Sequence, residues 1–280
     1  MICSNTLNSI IESSPWRNYL HDIYNQVDKP CLYYEHLDVI HPDDKQIVDA
    51  YNKDRQSDCQ LNRHILAVPF QGNPFTAKVV FLTLNPGYLE RINKDAAQML
   101  ESASINCTRF SLRIHEYWSA CYDHRASSIF PSKKENRDVY TAFQILGNWY
   151  WYDMFAPLRK DCYLDDDTFA EKVAIMQLIP YHSVRCRDIT LDLPTQQYSK
   201  QLILYMLEQP DCPQFVVMRS EKKWAKLLDI DFRNPKYKDK FILRKADKND
   251  NPPRKQFISE KAFAQPDDYA KIVNAIKTDL

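Results

Sequence analysis

The run at residues 78–84, KVVFLTL, is apolar at nearly every position and stops at Asn85-Pro86-Gly87. A strand with one face in water alternates apolar and polar side chains; an unbroken apolar strand is covered on both faces, as in a parallel sheet between helices. Three further runs have the same character. Residues 173–179 (VAIMQLI) end at Pro180, residues 214–218 (QFVVM) end at Arg219, and residues 240–244 (KFILR) end in a charged loop. Residues 196–209 and 222–228 between them read as helices, and residues 88–101 as a helix after the first run. Strand–helix alternation with short buried strands predicts an α/β fold. The expected architecture is a three-layer sandwich with a central, mainly parallel four-stranded sheet (78–84, 173–179, 214–219, 240–245) between helices.

A chain of 280 residues is compatible with one such domain spanning 1–280. Residues 1–63, with amphipathic stretches at 6–28 and 43–55, read as a helical lead-in, and the stretch 64–74 is broken by Pro and Gly. Residues 102–172 fit the alternation least and read as an aromatic-rich insertion. Its densest part, residues 147–155 (GNWYWYDMF), suits a helix packing an aromatic face into the core, with base stacking the alternative.

Charge is balanced overall, 37 basic against 37 acidic side chains, but unevenly distributed. Residues 1–70 hold six basic and ten acidic side chains, a local −4; residues 219–261 hold fourteen and seven, a local +7. A neutral protein can still present a phosphate-binding face through such a segment, and a solvated lysine-rich surface has the same composition. The eight cysteines show no CxxC spacing, so no zinc ribbon or iron–sulfur cluster is expected. No signal-peptide pattern and no apolar stretch long enough to span a bilayer is present. The expectation is a cytoplasmic protein with free thiols, no metal, no small-molecule cofactor and no membrane partner.

Ligands of open parallel sheets bind outside the carboxyl ends of the strands. The residues to read are therefore Asn85, Pro86, Gly87 and Tyr88; Pro180 to Ser183; Arg219, Ser220 and Lys222; and the loop 247–255. The chain has only three glycines, and Gly87 falls where a strand must turn into a helix. Pro86 fixes the entry to that turn, and Gly87 admits close backbone approach or a positive φ. Asn-Pro-Gly is also an ordinary turn.

The stretch 79–88, VVFLTLNPGY, resembles the first motif of the uracil-DNA glycosylase superfamily, most closely the mismatch-specific and single-strand-selective branch with GINPG or GMNPG. Asn85, Pro86 and Gly87 match, while Thr83 replaces the leading Gly. The likeness extends loosely over residues 64–260, and only ten residues match closely. It implies that Asn85 holds the hydrolytic water and that Gln177, with His182 nearby, stands where the family reads the base edge. Asn251-Pro252-Pro253-Arg254 faintly resembles the family's wedge loop. The absence of any histidine after His182 departs from the fast uracil enzymes, and the cysteine pattern departs from the iron–sulfur branch.

The implied activity is monofunctional DNA glycosylase chemistry: hydrolysis of the N-glycosidic bond of a flipped, damaged or modified base. By analogy with antiviral members of the superfamily, the base is a bulky modified cytosine of phage DNA. The expected catalytic residues are Asn85 and His182. Tyr88, Gln177, Pro86 and Gly87 form the base pocket, and Arg219, Lys222, Asn251, Arg254 and Lys255 meet DNA. Each side chain has a plainer role open to it: Gln177 bonding backbone on an apolar strand, His182 in an ordinary loop, Arg254 in a solvated turn. The alternative from another class is a non-catalytic DNA- or protein-binding module on the same fold.

Overall fold

The computed structural model describes residues 7–26, 34, 36–87, 102, 104, 116, 119–124, 150–185, 189–218, 220–244, 257–263 and 265–278. The strands are β1 (Phe70–Gln71), β2 (Val79–Thr83), β3 (Val173–Gln177), β4 (Gln214–Val217) and β5 (Phe241–Leu243), arranged β1-β3-β2-β4-β5. β2 pairs in parallel with both β3 and β4, and β4 with β5. The four apolar runs thus share one sheet, with their parallel order as expected. The sheet as a whole differs from the expectation: it has five strands and is mixed, because β1 pairs antiparallel with β3 through Phe70↔Met176 and Gln71↔Ile175. The two residues of β1 are too few for any side-chain period, so the broken lead-in hid an edge strand.

Alternate residues of β2 enter two different cores. Val80 and Leu82 join one cluster with Ala174, Met176, Phe215, Val217 and Phe241; Val79 and Phe81 join the other with Val173, Ile175, Val216 and Ile242. The first core is closed by α1 (Leu7–Glu12), α2 (Tyr19–Tyr24), α3 (Lys45–Lys53), α7 (Gln196–Leu207) and α8 (Glu221–Leu228). The second is closed by α4 (Tyr150–Met154), α5 (Ala156–Cys162), α6 (Asp166–Glu171) and α9 (Pro266–Lys277). The continuous apolar character of the strands follows: each face is buried, so no position alternates to water.

The stretch 6–28, read as one amphipathic segment, forms two short helices separated by a turn at Ser13–Asn18, where Pro15 cannot continue a helix. Pro42–Asp44 forms a 3-10 turn leading into α3. In the aromatic stretch, Met154 and Phe155 are fully buried and Trp151 and Tyr152 partly so. The Phe155 ring lies 4.9 Å from Phe81 and 5.6 Å from Trp151, which is core packing for these residues.

The connections place a switch point in the strand order. Between β2 and β3 come α4–α6, packed on one face, and between β3 and β4 comes α7, packed on the other; β4 stands on the far side of β2 from β3. The strand order reverses between β2 and β4, and such a switch point leaves the carboxyl ends of those strands uncovered by a crossing connection. Asn85 follows β2 at this point.

Candidate functional site

Beyond the regular strands, the chain segments 83–87 and 177–183 stay zipped together. Leu178 N–H donates to the Thr83 carbonyl (3.1 Å), Ile179 N–H to Leu84 (2.7 Å), and Gly87 pairs with Ser183 in a parallel bridge. On its other side the second segment is held by Val68 N–H on the Pro180 carbonyl and Asn62 N–H on the His182 carbonyl, each 2.7 Å. The Asn-Pro-Gly turn is therefore built on a backbone fixed from both flanks.

Within it, Asn85 is half-buried, and its Nδ2 donates to Ser183 Oγ (2.8 Å) and to the Tyr181 carbonyl (3.3 Å). Only the NH2 side of an amide can face a carbonyl, so this contact fixes the amide's orientation. Both hydrogens are used, and no described residue hydrogen-bonds Oδ1. Asn85 thus offers a ligand one preoriented acceptor. Pro86 is buried and Gly87 exposed. Gly87 does not have a positive φ, and a Cβ there would meet nothing within 4 Å. Neither backbone conformation nor packing requires glycine at this position.

His182 Nδ1 lies 3.0 Å from the Gly87 carbonyl and so carries the proton in that contact. Its Nε2 is out of reach of solvent and has no hydrogen-bond partner among the described residues. Burial holds the imidazole down at about 4, against the partial support of the Gly87 and Leu66 backbones. At neutral pH the ring is uncharged and anchors the turn. The structure gives His182 a contact with the Asn-Pro-Gly backbone, next to the expected catalytic Asn85.

Gln177 ends β3 and is 2% exposed; its register partner is Thr83, 6% exposed. Thr83 Oγ1 hydrogen-bonds Gln177 Oε1 and approaches the Met176 carbonyl at 3.1 Å, while Gln177 Nε2 has no partner among the described residues. A buried amide with one end unmet costs stability unless something completes it. Trp224, fully buried on α8 in the first core, donates Nε1–H to the Thr83 carbonyl (2.9 Å).

Of the other expected site residues, Lys222 is exposed in the first turn of α8. Tyr88, Arg219, Asn251, Arg254 and Lys255 lie outside the described residues. Sequence reasoning missed Ser183, Tyr181 and Thr83 as partners of the expected site residues. Tyr181 and Ser183 sit on the segment that follows an apolar run, and Thr83 is the one polar side chain inside the run 79–84, which are the signals that could have found them. It also missed Asp44, for which no local signal exists: its partners are 137 and 151 residues away.

Two concavities lie away from Asn85. One, at the amino ends of the strands, is lined by Lys78, Cys212, Gln214 and Lys240; the other lies between Asn52, Gln60, His64 and Val184. Among the described residues, no group of three His, Cys, Asp or Glu side chains is placed to hold a metal, and no helix is long and apolar enough to cross a membrane.

The fold and site define an α/β protein with polar side chains gathered after β2 and β3, next to the switch point of a mixed sheet. No family model, curated protein or solved structure matches the chain.

Proposed function

We propose that the chain is a monofunctional DNA glycosylase of the uracil-DNA glycosylase type, a three-layer sandwich that hydrolyses the N-glycosidic bond of a flipped, modified base. The observation that carries this reading is the amide of Asn85, whose Nδ2 is spent on Ser183 and Tyr181 so that Oδ1 is left as an oriented acceptor. Such an acceptor holds a water by one of its hydrogens and aims the oxygen lone pair at C1′. The C1′–N bond breaks with its electron pair leaving on the base, the water oxygen bonds to C1′, and the water's proton passes to solvent.

An amide is a poor general base, so this site suits bases that leave readily or turnover that is slow. Neutral His182 contributes no positive charge to the departing base; it keeps Gly87 and Asn85 in register. The unmet end of the Gln177 amide suits the polar edge of a flipped base. A bulky modified cytosine of phage DNA is the substrate class the sequence resemblance favours, and DNA is the corresponding partner.

A second reading, a non-catalytic binding module, is favoured by one contact: the Thr83 hydroxyl occupies one end of the amide that would read the base. The test is incubation with duplexes carrying uracil, mismatched thymine or glucosylated hydroxymethylcytosine, followed by alkaline cleavage at abasic sites. Strand breaks on one substrate support the glycosylase. Retention of DNA without breaks on any substrate supports the binding module.

A further inference from the structure

Asp44 is fully buried in the 3-10 turn before α3, about a hundred and forty residues in sequence from the groups it touches. Its Oδ2 accepts from the Tyr181 hydroxyl (2.7 Å) and the Thr195 hydroxyl (2.6 Å), and its Oδ1 from the Thr195 N–H (3.1 Å). No described Lys or Arg pairs with it. A carboxylate out of water without a counter-ion is held only by such donors, and each is costly to lose. The Tyr181 oxygen in turn accepts the His41 N–H (3.1 Å). The ring of Tyr181 is fully buried in the first core, and its hydroxyl is held by His41 and Asp44, the latter fixed in turn by Thr195.

The other end of Tyr181 is the carbonyl that orients Asn85. One residue therefore joins the buried carboxylate to the acceptor at the candidate site. We propose that Asp44 is a positioning residue for Asn85, acting through Tyr181, so that the N-terminal layer is part of the site's machinery. The inference rests on the reading of Asn85 as the functional acceptor. A plain structural staple would lower global stability in its absence without selectively freeing the Asn85 amide.

The test reads that amide directly. The side-chain NH2 of Asn85 is followed by NMR hydrogen exchange in the full-length protein, with the Gln214 side-chain amide as internal reference. Gln214 Nε2 donates to the Lys240 carbonyl (2.8 Å) at the opposite end of the strands. In Tyr181→Phe, which keeps the ring and removes the hydroxyl, and in Asp44→Asn, exchange at Asn85 is expected to speed up about tenfold or more while Gln214 changes little. Equal acceleration at both amides, or none at Asn85, overturns the proposal.

If neither variant folds, wild-type protein in sub-denaturing urea decides the matter. The backbone amides of His41 and Thr195, which donate into the hub, should then open with the same urea dependence as the Asn85 NH2. Independent opening overturns the proposal. Absence of base release by the wild type would count against the glycosylase reading alone, since no exchange measurement depends on catalysis.

Discussion

At the scale of single residues, Asn85 and Gly87 make opposite demands on experiment. Asn85→Ala removes two hydrogen bonds and leaves the Ser183 hydroxyl and Tyr181 carbonyl half-satisfied, a cost of about 1–2 kcal/mol. If Oδ1 holds the attacking water, single-turnover base release should fall by a factor on the order of a hundred or more. Wild-type rates in Asn85→Ala would reduce the motif to a turn. Asn85→Asp is the informative companion. A carboxylate cannot donate to the Tyr181 carbonyl, so it must rotate toward the Ser183 hydroxyl, yet it still accepts from water and steadies the positive sugar; partial activity should survive. Gly87→Ala should leave urea stability unchanged or raise it by about 0.5 kcal/mol, because the added methyl meets nothing and restricts the unfolded chain. Loss of DNA affinity at unchanged stability would assign the glycine to ligand approach, and unchanged affinity would remove that role.

At the scale of elements, the sequence was most legible where apolar residues form a long unbroken run or a long helical stretch. The run at 78–84 contains β2, 173–179 contains β3, and the helix expected at 196–209 is α7 at Gln196–Leu207. The site was legible only as residues standing after strands. Which of them touch was not, because the Asn85–Ser183 and Asp44–Tyr181 contacts span 98 and 137 residues and leave no local pattern. β1 was hidden for the same reason: its pairing is tertiary. His182 shows how an element's setting decides a residue's chemistry, since the segment that delivers it also encloses it. His124, buried against Phe70 at 4.4 Å between ring centres, is likewise pushed by burial down to about 4. An unfolded histidine titrates near 6.5, so between about pH 6.5 and 4 the unfolded chain binds more protons than the folded one. The stability each ring contributes is present in full above about pH 6.5 and drains away as pH falls toward 4, by at most about 3 kcal/mol per ring. Urea midpoints taken from about pH 7 to about pH 5 should fall, and His124→Leu should flatten the slope by one proton's worth. Stability that rises on acidification would show that the rings are not held neutral.

At the scale of the whole molecule, the basic segment 219–261 looked in sequence like a phosphate-binding face, but much of its described charge is already engaged. Lys226 pairs with Asp192 (2.9 Å), Arg233 with Glu221 (2.5 Å), and Lys223 donates to the Ile189 carbonyl. Exposed ion pairs are weak, about 0–1 kcal/mol, so a phosphate can compete for such a lysine, though it releases fewer counter-ions in doing so. Lys222, by contrast, is exposed at the start of α8, on the carboxyl side of the sheet with Asn85. Binding of a labelled duplex should therefore weaken as salt rises from about 50 to about 200 mM, with log K falling by about 0.9 per log unit of salt for each phosphate neutralised. Lys222→Ala should lower that slope by about one, and affinity for every DNA sequence should fall together, since a phosphate contact carries no base information. Arg219→Ala and Arg254→Ala are expected to behave like Lys222→Ala. Arg233→Ala, which loses a cation already neutralised by Glu221, should change the slope less. A slope near zero in the wild type would remove nucleic acid as a partner and with it the proposed chemistry, whatever the geometry at Asn85. A steep slope that Lys222→Ala leaves untouched would move the DNA to another face of the protein, away from the carboxyl ends of β2 and β4.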